Sequence, residues 1–111
     1  MITNAGVTDA ARPGSPQVFQ ELPVPGSDDR IVLLNPDLGH PQQPFYNLFR
    51  TDRHGNTVWR AELPWPERTD RHDGYVEIRW DWSSIAANTW SGWYVLIDPG
   101  TGKILSKEFV K

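Results

Sequence analysis

The stretch Tyr75-Val76-Glu77-Ile78-Arg79-Trp80-Asp81-Trp82 decides how the chain reads. Val76, Ile78, Trp80 and Trp82 fall on one face of an extended segment, and Tyr75, Glu77, Arg79 and Asp81 on the other. That period of two is the signature of a strand with one face buried. Working outward on the C-terminal side, Ser83-Ser84 turns the chain into a small-residue strand, Ile85 to Thr89, and Ser91-Gly92 turns it again. Trp93 to Ile97 carries apolar residues on both faces, and Asp98 to Gly102 makes a further hairpin before Lys103 to Val110. The second half is therefore expected to be a four-stranded antiparallel meander.

Working toward the N-terminus, Pro64 to Asp73 is a charged loop preceded by a strand at Thr57 to Leu63. In that strand Trp59, Ala61 and Leu63 share one side and Val58, Arg60 and Glu62 the other. Asp52 to Asn56 forms a hairpin in which Gly55 and Asn56 can take a positive φ. Phe45 to Thr51 is a central strand, Asn35 to Pro44 a loop, Arg30 to Leu34 a strand, and Val18 to Leu22 an edge strand ended by Pro23-Val24-Pro25-Gly26. Nine of the ten prolines precede residue 70, which excludes long helices there. The fold class is all-β: antiparallel hairpins or a meander of about six to eight strands, built like propeller blades or a small β-sandwich. Residues 1–16, small and polar, form a flexible N-terminal arm, and residues 17–111 a single all-β domain.

A length of 111 residues suits one domain. Hydrophobic residues make up 38% and aromatics 12%, with six Trp to anchor a small core. The absence of Cys excludes disulfides and thiol nucleophiles. Met1 to Gly14 lacks the pattern of a signal peptide, and no apolar run is long enough to span a bilayer, so a cytoplasmic protein is expected. A net charge of −3 with interspersed signs argues against a nucleic-acid partner.

A weak internal repeat is present. Leu48 to Asp52 followed by Gly55 to Trp59 lies about 46 residues before Tyr94 to Asp98 followed by Gly102 to Ser106, close to the period of four-stranded blades. At these hairpins the chain resembles the blade repeat of quinoprotein-like or WD-like β-propellers, in which a strand ends in Asp, turns through Gly and returns into a strand carrying Trp. The first copy has Asp52, Gly55 and Trp59; the second has Asp98, Thr101 and Gly102, with Ser106 at the Trp position. The resemblance covers roughly half the chain, implies a scaffold and carries no quinone cofactor with it. Tyr75 to Lys111, and Ala87 to Gly92 in particular, is also similar to a group of short bacterial proteins of unassigned function. Two blades cannot close a propeller, so the sheet edges call for cover by the N-terminal segment, by sandwich packing or by another chain, which makes a homo-oligomer an expectation.

Catalytic constellations are not evident. His40, His54 and His72 all fall in loops; Asp70 and Asp73 flank His72 without the spacing of metal ligands. Ser91 lacks a nucleophile elbow, Gly100-Thr101-Gly102-Lys103 lacks the full phosphate-loop spacing, and Asp52 and Asp98 read as turn caps, not calcium ligands. No cofactor or metal is expected.

The tryptophans are more informative. Trp80 and Trp82 read as core. Trp65, held between Pro64 and Pro66, caps the core or anchors a partner, and Trp90 sits at a turn. The residues expected to bind a partner are Trp65, Tyr75, Glu77, Arg79, Asp81 and Trp90. The leading expectation is a non-enzymatic protein-interaction module, self-assembling or inhibiting a partner such as a bacterial toxin, as an immunity protein does. The alternative is a carbohydrate-binding module stacking sugars on Trp65, Trp90 or Trp93, with Glu77, Arg79 or Asp81 bonding hydroxyls. A hydrolase using two carboxylates is the third reading.

Overall fold

The computed structural model describes residues 17–40, 42–65 and 72–110. Eight strands fall into two antiparallel sheets in sequential order. The first holds β1 (Val18–Pro23), β2 (Arg30–Leu34), β3 (Leu48–Thr51) and β4 (Thr57–Arg60); the second holds β5 (Tyr75–Asp81), β6 (Ser84–Thr89), β7 (Trp93–Ile97) and β8 (Ile104–Phe109). The meander expected in the second half is present strand for strand. The arm expected over 1–16 lies outside the described residues.

The sheets form a two-layer sandwich, because one face of each is apolar. Ile31, Leu33, Leu48 and Trp59 from the first sheet close on Ile78, Ile85, Ala87, Val95 and Ile97 from the second. Removing each of the Ile, Leu and Val side chains among them from water contributes about 1.5–3 kcal/mol. β2 is buried on both faces: Val32 and Leu34 point away from this core into a second cluster with Phe49, Val18 and Phe45.

Two side-chain amides stitch the layers together. A primary amide presents the same donor and acceptor as a peptide group, so it can complete a strand edge that has no neighbouring strand. Asn47, fully buried, donates from Nδ2 to the carbonyls of Leu34 (3.0 Å) and Tyr75 (2.8 Å) and accepts the Tyr75 N–H at 2.9 Å. Gln20 on β1 accepts the Ile78 N–H at 2.8 Å and donates to the Ile78 carbonyl at 3.4 Å. Edge strand β5 is thereby tied to the first sheet without pairing to it.

The internal repeat extends to whole sheets. A register shift opens the first strand of each sheet, between Val18 and Gln20 and between Tyr75 and Glu77. Another falls in the pairing of the third strand with the fourth in each, opposite Arg50/Thr51 and Leu96/Ile97, where Val58 and Leu105 are the extra residues. The two repeat hairpins also meet: a Cβ on Gly102, at φ +76°, would lie 2.6 Å from the Trp59 ring, and Trp59 Nε1 donates to the Pro99 carbonyl at 2.7 Å. Asp52 and Asp98 cap their turns as expected, accepting from the N–H groups of His54 and Gly100. Gly55 takes a positive φ (+85°) and Asn56 does not.

Three expectations need correction. The strand read at Phe45 to Thr51 begins only at Leu48, because Phe45 bonds to Asp73 and Asn47 supplies the amide bridge, and the one read at Thr57 to Leu63 ends at Arg60. Tyr75 is not on the polar face of β5. The bulge at Val76 shifts the alternation by one residue, and Tyr75 turns into the core with no exposed surface. Its hydroxyl donates to the Glu62 carbonyl, and burial holds the phenol well above its ordinary pKa. Trp82, read as core, is 96% exposed, because the chain turns at that residue.

Candidate binding surfaces

The polar face of β5 is real once Tyr75 is removed from it. Arg79 sits opposite Ala86, Glu77 opposite Asn88, and Asp81 opposite Ser84. Small Ala86 leaves room for the Arg79 guanidinium to lie over the Tyr94 ring at 5.5 Å and to reach Asn88 at 3.4 Å. The Tyr94 hydroxyl approaches Asp81 at 3.5 Å. Tyr94 therefore fills the place expected of Tyr75. Alternation in β7 was the available signal, since Val95 and Ile97 point inward and Tyr94 and Leu96 outward.

This face ends in the hairpin Asp81-Trp82-Ser83-Ser84. Trp82 is the one described non-glycine residue with a positive φ, +56°. A two-residue hairpin loop with a positive φ only at its first central position follows the type II′ pattern, whose usual first residue is glycine. The indole makes no hydrogen bond or ring contact with the described residues. Trp80, by contrast, is half-buried and its Nε1 donates to the Pro23 carbonyl at 2.9 Å.

The second surface lies at the other end of β5, roughly 20 Å away at about 3.3 Å per residue. It is a cavity of about 250 Å³. Its apolar walls include Pro44, Leu63, Trp65, Trp93 and Phe109, and its polar end holds His72, Asp73 and Ser91. Trp93 meets Trp65 at 5.7 Å between ring centroids and Phe109 at 5.4 Å. Asp73, 8% exposed, accepts the N–H groups of Gly74 (2.9 Å) and Ser91 (3.2 Å) on Oδ1 and the Ser91 hydroxyl (2.9 Å) on Oδ2. The turn at Ser91-Gly92 is thus also a carboxylate cradle. Trp90 is exposed and meets the His72 ring edge-on at 5.3 Å.

The structure therefore divides the residues singled out from sequence. Glu77, Arg79 and Asp81 share one face; Trp65 and Trp90 lie at the cavity end; Tyr75 is interior. The sequence reading missed Trp82 and Tyr94 on the first surface and the pairing of Asp73 with Ser91 on the second. Among the described residues no group of three His, Asp or Glu is placed to hold a metal ion, and no helix is long and apolar enough to cross a membrane.

No curated protein and no solved structure matches the chain. A family model described as a domain of unknown function, DUF7957, matches residues 25–109, which takes in β2 through β8. The chain belongs to the DUF7957 family.

Proposed function

We propose that this domain is a non-catalytic protein-interaction module that docks through the Trp82 hairpin and the adjoining face of Arg79, Tyr94 and Asp81. The observation that carries the reading is Trp82 itself: a large aromatic, 96% exposed, in a backbone conformation suited to glycine. A non-glycine residue in that region costs about 1–3 kcal/mol. Among the described residues none makes a hydrogen bond or ring contact with the indole that would offset that cost, and its 96% exposure leaves it little packing. A bound partner would offset it, since a buried indole removes on the order of 150–250 Å² from water and Trp is enriched among interface hot spots. Arg79 and Asp81 beside it would fix orientation through complementary charge.

In this reading the partner is a protein: a second copy of the chain, or a target such as a toxin whose action the domain blocks. The place of action is the cytoplasm, a reading supported by the lack of Cys. The test is affinity capture from the source cell with quantitative mass spectrometry, run alongside light scattering. Wild type is compared with Trp82→Gly and with Phe19→Ala, an exposed apolar residue on β1. The expected result is a captured protein, or a dimer mass, that Trp82→Gly lowers at least tenfold and Phe19→Ala leaves in place. Equal recovery by all three proteins would refute the proposal.

A further inference from the structure

We infer that the cavity between Trp65 and Trp93 is a binding site for a small organic monocation with an apolar body, such as an aralkylamine. The inference does not depend on the Trp82 hairpin. Size sets the first bound. A cavity near 150 Å³ admits benzene, so about 250 Å³ admits a ring carrying a short chain.

Polarity sets the second. The five apolar walls and the single polar end suit a molecule that is greasy along its length and polar at one tip. A sugar, ringed by hydroxyls, would leave several of them facing Pro44, Leu63 and Phe109 without partners.

Charge sets the third. An ionised carboxylate has about four acceptor positions, and three donors from Gly74 and Ser91 occupy those of Asp73, leaving Oδ2 able to take another. Those donors are all neutral, and among the described residues no cation bonds Asp73. A nine-tenths-buried carboxylate without a cationic partner favours a positive group over a neutral one. Aromatic faces act in the same direction, because their quadrupoles attract cations, Trp most strongly. The chain already uses Trp93 this way: Lys107 Nζ sits 5.7 Å from its ring centroid and donates to the Pro64 carbonyl at 2.8 Å. With Lys107 close by, the site suits one positive charge, not two.

Phenethylamine, its isosteric neutral counterpart 2-phenylethanol and glucose are the probes, titrated against wild type and Asp73→Asn. Binding is followed by NMR at the indole N–H resonances of Trp65 and Trp93. Asparagine keeps an oxygen for the Gly74 and Ser91 N–H groups and can donate to the Ser91 hydroxyl, so the turn is preserved. Phenethylamine should shift both indole signals in wild type and bind at least about tenfold more tightly than the alcohol, with a Kd in the millimolar range. Asp73→Asn should reduce that preference to near unity. Equal binding of amine and alcohol to wild type, a preference that survives in Asp73→Asn, tighter binding of glucose, or no shift with either phenyl compound at tens of millimolar would each overturn the inference. If Asp73→Asn does not fold, the amine-to-alcohol ratio of wild type, and its decline with added salt, decides the matter.

Discussion

Replacing Asn47 tests the claim that two sheets without shared strand pairing are held together by side-chain amides. Asn47→Ala removes three hydrogen bonds, two to Tyr75 and one to Leu34. At about 1 kcal/mol net each, their loss amounts to roughly 3 kcal/mol. The site is fully buried, so groups left without partners add their own desolvation penalty, raising the total to about 3–5 kcal/mol. For a domain of this size that lowers Tm by roughly 12 °C or more. Urea unfolding followed by fluorescence and circular dichroism gives the free energy if the two transitions coincide. Asn47→Asp sharpens the test, because a carboxylate there would face the carbonyls of Leu34 and Tyr75 in place of a donor. Its folded-state pKa would be raised, so its stability is fullest below the unfolded value of about 4 and is lost as pH rises. The Asp variant should therefore be more stable in acid relative to wild type than at neutral pH. A loss below about 1 kcal/mol for Asn47→Ala, within the range of an ordinary surface substitution, would refute the reasoning.

Other substitutions probe separate parts of the structure. Trp82→Gly should raise stability by about 1 kcal/mol, or roughly 4 °C in Tm, by relieving the left-handed backbone; calorimetry checks this. Thr51 is fully buried and its hydroxyl has no hydrogen-bond partner among the described residues, so Thr51→Val should gain about 1 kcal/mol in urea unfolding. The Tyr75 phenol is held neutral by burial first and by the charges of Asp73 and Glu62 second. Because its folded pKa is raised, its contribution is complete below the ordinary value of 10.0 and declines as pH rises above it. Tyr75→Phe should cost about 1 kcal/mol at neutral pH, through the lost bond to Glu62. The gap to wild type should narrow in urea titrations run above pH 10.

Much of the second sheet was legible because its strands alternate and its turns carry Ser, Gly, Asp and Pro where turns need them. The failures have local physical causes. Tyr75 was misplaced because a bulge is a mismatch between two strands, and nothing in residues 75–82 reveals that Val76 lacks a partner on β6. Trp82 was misplaced because period-two counting runs on through a residue at which the chain has already turned, and its positive φ runs against the preference of its own side chain. Asn47 and Gln20 drew no notice, since their value lies in backbone groups far along the chain. The cavity was unreadable for the same reason: Pro44, Trp65, Asp73, Ser91 and Phe109 come from separate segments, so Trp65, Trp93, His72 with Asp73, and Ser91 drew notice only singly or beside a sequence neighbour, and for other roles. The polar face at Glu77, Arg79 and Asp81 survived because all three lie on one strand beyond the bulge.

The central claim is that Trp82 is displayed for a partner at the expense of the fold. The most direct measurement is quantitative capture by wild type and by Trp82→Gly from the same cell lysate, with the mass of each bait determined by light scattering. The account predicts a partner or a dimer that is lost from the glycine variant while that variant remains folded. Identical capture profiles and identical masses for the two proteins would contradict it.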